Sequence, residues 1–179
     1  MATLTNSIET LECSTIPLDV LIEHLKADHQ RWRAQVLPEL GRTLGQRARR
    51  DKLEATAALR HLFARMCQEL DAHLRQEETV LFPAILEMDR RTKQSQPLAR
   101  PSFGSVRNPI VMIQREHEDD AQLWDTLQHL AKLDAAAPDA PESARKLYRD
   151  LTLFADDVHA HTAIESTILF PRAVELETR

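Results

Sequence analysis

At 179 residues the chain fits one domain and is long enough to bury a core without disulfide staples. Its hydrophobic content of 42% and charged content of 28% are ordinary for a soluble globular protein, and a net charge of -5 argues against a general nucleic-acid binder. No apolar run approaches the roughly 20 residues needed to span a bilayer, so no membrane partner is expected.

The first residues, MATLTNSIETLECS, lack a basic stretch followed by an apolar run and so do not read as a signal peptide. They form a short leader of about 1–15. Cys13 and Cys67 make neither a CxxC pair nor a disulfide framework, which suits a reducing compartment. A cytoplasmic location follows. Three glycines and 4% aromatics, set against many Leu, Ala, Glu and Arg, lean toward helix throughout.

A first helix should start near Pro17, with Ser14 or Thr15 placed to cap it. Its apolar stripe is Leu18, Leu21, Ile22, Leu25, His29, Trp32 and Val36. That alternation of three and four is the inner seam of a bundle helix. The basic stretch RTLGQRARRDK, from Arg42 to Lys52, reads as a solvated loop and helix start. A second helix should run from about Asp51 to Arg91, with the seam Leu59, Leu62, Met66, Leu70, His73, Glu77 and Leu81. Pro83 lies inside it and predicts a kink. TKQSQPLARPSFGSVRN then reads as a surface loop.

Asn108 can cap a third helix with Pro109 in its first turn. Its seam is Ile110, Ile113, His117, Ala121, Trp124, Leu127 and Ala131. After the turn AAAPDAP, a fourth helix carries Leu147, Leu151, Phe154, Val158, His161, Glu165 and Ile168 on one face, with a second kink expected at Pro171. The expected fold class is all-α: an antiparallel four-helix bundle built from two similar helical hairpins, about 16–91 and 108–178.

Each seam has one histidine where leucine would be expected. His29, His73, His117 and His161 fall at a constant spacing of 44 residues. The stretches HLRQEETVLFPAI and HTAIESTILFPRA, starting at His73 and His161, repeat one pattern. The hairpin is therefore used twice, and the internal symmetry would let its histidines converge.

Glu77 and Glu165 lie one turn beyond His73 and His161 on the same helical face. A buried carboxylate without compensation is costly, so two of them beside four imidazoles call for a shared cation. The six groups are too many for one tetrahedral zinc. They suit two six-coordinate first-row ions, with both glutamates bridging and two histidines on each. Imidazole and carboxylate accept iron, zinc or manganese alike. An oxo or hydroxo bridge would leave one open position per ion. Ferritin-like di-iron bundles use Glu-x-x-His and four carboxylates, whereas the order here is His-x-x-x-Glu and the nitrogen count is higher. A nitrogen-rich centre favours reversible binding or electron exchange over oxygen activation. His24, His61, His129 and His159 fall off the seams, and Glu78, Glu116, Glu118, Asp119 and Asp120 read as a solvated acidic face.

The paired His-x-x-x-Glu motifs, each followed by [VI]LFP, resemble the hemerythrin-like, His-His-Glu cation-binding domain family. HLRQEETVLFP, FGSVRNPIVMIQREHEDD and DVHAHTAIESTILFPRA are similar to the matching blocks of the di-iron proteins for repair of iron centres. The likeness covers about Pro17 to Glu177. It implies a single hemerythrin-like domain over 1–179 and a non-haem di-iron centre. It also implies metal-ligand roles for His29, His73, His117 and His161, and bridging roles for Glu77 and Glu165. Members of that family carry an N-terminal module with a cysteine pair, where this leader has the single Cys13. They also carry a histidine in a K-V-x-x-V-H stretch, where LGQRARRDKLEA places Asp51. The resemblance implies binding of, or reaction with, nitric oxide, oxygen or peroxide, and repair of iron-sulfur centres under nitrosative or oxidative stress. A non-catalytic sensor or store, and a structural metal-binding bundle, are the competing functions. Whether the centre is that of an enzyme, and the oligomeric state, stay open at this level.

Overall fold

The structure, a computed structural model, describes residues 15–50, 54–98 and 101–178. Among these residues there is no strand, and the chain forms the four helices of a bundle. Helix α1 covers 18–50, α2 covers 54–93, α3 is Arg107–Ala136 and α4 covers 142–178. The expected leader and Asp51 lie outside the described residues.

Two compact units divide these helices. The first holds the start of α1 to Asp28, the stretch Leu74–Arg115, and α4 from Ala160 onward. It thus combines the beginnings of α1 and α3 with the ends of α2 and α4, as antiparallel neighbours require. Its core contains Leu21, Ile22, Leu25, Leu81, Ile85, Ile113 and Leu169, each 1% exposed or less. Burying side chains of this size contributes roughly 1.5–3 kcal/mol apiece before entropy is charged. The loop before α3 joins this core, because Val106 is wholly buried. The expected surface loop is therefore only partly at the surface.

The second unit comprises His29–His73 and Glu116–His159. Its centre is aromatic: Phe154 meets Trp32 and Trp124 edge-on, with ring centroids 5.7 and 4.9 Å apart. Leu44, Leu59, Met66, Leu127, Leu147 and Leu151 fill the rest. The basic stretch after Arg42 is not a loop. It is helical to Arg50, and Arg47 is buried, bonding Asp134 at 2.7 Å and Ser143 at 3.3 Å. The guanidinium is taken out of water only because a carboxylate and a hydroxyl replace part of its hydration.

The kinks expected at Pro83 and Pro171 take the form of π-helical turns, Glu77–Leu81 and Glu165–Leu169. A third, Trp32–Val36, precedes Pro38, which the periodicity did not single out. Each turn ends two residues before its proline. The ring would crowd the carbonyl four residues back, and a proline offers it no N–H. Widening the turn relieves that clash while the backbone keeps bonding, as Phe82 N–H donates to the Glu77 carbonyl and Phe170 N–H to that of Glu165.

The α3 start also differs from expectation. The helix begins at Arg107, whose N–H reaches the Ser105 hydroxyl, while Glu177 accepts from Val106 N–H at 2.9 Å and Ser105 Oγ at 2.7 Å. Asn108 instead donates to the Phe103 carbonyl. Gly104 has φ +89, a conformation that side chains with a Cβ rarely adopt.

Candidate metal centre

His29 sits in α1, His73 and Glu77 in α2, His117 in α3, and His161 and Glu165 in α4. The glutamates are 0% exposed, His29 0%, His161 3% and His73 5%, whereas His117 is half-buried. Their donor atoms form two groups. One joins His29, Glu77, His161 and Glu165; the other joins His73, Glu77, His117 and Glu165. Within each group the ligand atoms lie within 4.8 Å of one another, and both glutamates belong to both groups.

That spacing suits an ion. Donors about 2.1 Å from one centre can be at most about 4.2 Å apart, so each group needs only a small contraction. The donor chemistry also fits, because neutral imidazoles and carboxylates suit first-row divalent ions. Two fully buried carboxylates sharing one neighbourhood would repel strongly without positive charge between them.

The two groups differ in detail. His117 Nε2 and His73 Nε2 lie 3.1 Å apart, the rings 4.8 Å between centroids. His73 Nδ1 meets Glu116 Oε2 at 2.9 Å. A neutral His73 donating from Nδ1 turns the lone pair of Nε2 toward His117, the tautomer a metal ligand needs. In the other group, His161 Nδ1 lies 3.4 Å from Asp28 Oδ2, and His161 Nε2 lies 3.4 Å from Glu165 Oε1. Burial acts most strongly on His161 and would lower its pKa. The carboxylates of Glu165, Asp28 and Glu77 outweigh it and push the imidazole up to about 10. In the metal-free molecule a proton thus partly offsets the carboxylates.

Glu116 therefore departs from the solvated acidic face expected for it, and Asp28 carried no expectation at all. Each precedes a seam histidine by one residue yet holds a histidine of a different helix. His24, His61, His129 and His159 are exposed and belong to neither donor group.

The fold and the donor groups agree with the comparison of the sequence to family models, in which residues 20–173 match the hemerythrin HHE cation-binding domain. The chain belongs to that family. Among individual proteins, it is 30% identical over 162 residues to the iron-sulfur cluster repair protein YtfE of Salmonella typhimurium strain LT2, covering 89% of this chain and 67% of the relative. The YtfE proteins of Salmonella paratyphi B and Salmonella newport are similar to the same extent. No helix among the described residues is long and apolar enough to cross a membrane.

Proposed function

We propose that the chain is a non-haem di-iron protein of the cytoplasm. His29 and His161 hold one ion, His73 and His117 hold the other, and Glu77 and Glu165 bridge them. The sharing of both glutamates by two donor groups carries this reading, because one ion would have no use for six converging donors. Iron bound there would supply redox change and open coordination positions for nitric oxide, oxygen or peroxide. The chain's own residues fix the imidazoles, with Glu116 and Asp28 orienting His73 and His161. Likeness over most of this chain to proteins named for iron-sulfur cluster repair supports a role in mending such centres under nitrosative or oxidative stress.

The test is metal analysis of anaerobically purified protein, followed by incubation with an iron-sulfur enzyme damaged by nitric oxide. Two irons per chain and recovery of the damaged enzyme are expected. One tightly bound zinc, with no iron taken up on anaerobic reconstitution, would falsify the di-iron reading. Two irons without any recovery would remove the repair role and leave the metal centre standing.

A further inference from the structure

We propose that the two ion positions are unequal: the His73–His117 position exchanges its ion with solution, and the His29–His161 position retains it. This rests on the two-ion reading above. The internal duplication makes the comparison possible. Twice the 44-residue spacing carries His29 onto His117, His73 onto His161 and Glu77 onto Glu165. The same offset carries Trp32 onto Asp120 and Pro38 onto Thr126.

Beside His29 stands Trp32, 1% exposed, with ring centroids 6.0 Å apart. Its Nε1–H donates to Asp157 at 2.6 Å and its edge meets Phe154, so the indole is held in place. All four donors of this group are buried. At the corresponding place beside His117 stands Asp120, half-buried, which interacts electrostatically with His73, His117, Glu69 and Glu116. His117 is itself half-buried, the one donor of the six that is not fully enclosed. The backbones have diverged as well. Pro38 accompanies a π turn starting at Trp32, while α3 runs as regular α-helix from Arg107 to Ala136.

These differences act on exchange in one direction. An ion leaves when water or a competing donor reaches its ligands, and a fixed indole against His29 denies that approach. Carboxylates near His73 and His117 lower the electrostatic cost for a cation passing between water and the interior.

The experiment loads the full chain anaerobically with Fe(II) and follows release into excess chromogenic ferrous chelator. Two equivalents should leave in two phases, one equivalent each, at rates at least about tenfold apart, the scale on which surroundings of metal ligands act. Asp120→Asn should slow the fast phase about two- to fourfold, the effect of one partly screened charge, and leave the slow phase alone. Trp32→Leu should speed the slow phase and leave the fast one alone. Two equivalents leaving in one phase would overturn this proposal while the two-ion reading survives. Binding of fewer than two equivalents would overturn both. Asp120→Asn altering the slow phase, or neither phase, also overturns the assignment, and this half-exposed substitution decides it even if Trp32→Leu does not fold.

Discussion

Glu77 and Glu165 have no exposed surface, which makes them the most sensitive positions to change. Glu77→Gln keeps the shape and removes the charge from both donor groups, so iron loading should fall well below one equivalent. His73→Ala should reduce loading by about 10-fold or more in affinity, given how strongly even outer partners of metal ligands act. His61→Ala and His24→Ala, both at exposed positions, should leave it unchanged. Equal losses across all four variants, measured by metal analysis, would reject the donor assignment. Cys67 offers a separate test. Burial pushes its thiol from the usual 9.0 up to about 11. The folded state then holds the proton more tightly than the unfolded chain, so this thiol contributes stability below about pH 9 that is lost as pH rises toward 11. Its alkylation, followed by mass spectrometry on the native chain, should stay slow through pH 9 and accelerate only toward 11. The convergence of these six side chains was legible in the sequence because a histidine or glutamate in a leucine seam breaks the helical pattern. Asp28 and Glu116 were not, because each lies one residue from a seam and its partner comes from a helix distant in sequence. No periodicity encodes such a pair.

Helices were readable to within a few residues wherever apolar spacing persisted, yet their internal irregularities were read only in part. Pro83 and Pro171 announced disturbances, but a proline alone does not say whether a helix bends, breaks or widens. The π form follows from packing on both sides: Glu77 and Leu81 are both buried, and the downstream Phe82, Ile85 and Met88 stay in one core. Pro38 gave no such announcement, because the apolar seam of its helix breaks off at Val36. The register shifts there, leaving Val36 half-buried while Leu40 and Leu44 are enclosed. Since the wide turn already accommodates the ring, Pro83→Ala should preserve iron loading. It should destabilise the chain by about 0.4–1 kcal/mol, through the greater freedom of the unfolded state. Stabilisation by several kcal/mol in a denaturant titration would mean instead that the proline strains the helix. The cap on α3 had a similar blind spot. Glu177 reaches Ser105 and Val106 from the far end of the sequence, so Glu177→Ala should cost about 1 kcal/mol and lower the melting temperature.

Across the whole chain, the regular spacing of the four histidines carried more information than composition did, because it joined the fold and the two donor groups in one pattern. Iron bound to the folded chain and not to the unfolded one raises stability by about 2.7 kcal/mol when free metal is one hundred times the dissociation constant. Removing it with a chelator should therefore lower the melting temperature, and restoring Fe(II) anaerobically should recover it. Gas reactivity tests whether the centre does more than brace the helices. Bound as proposed, with two histidines and two shared glutamates apiece, both ions would keep room for a further ligand. The diferrous protein should gain visible absorption on exposure to nitric oxide, and near-ultraviolet absorption on exposure to oxygen. Both changes should fall by about half in His117→Ala if that variant loses one of two ions, and both should persist in His61→Ala. An iron-loaded chain whose spectrum ignores both gases has saturated ions, and its metal then serves to hold the bundle together.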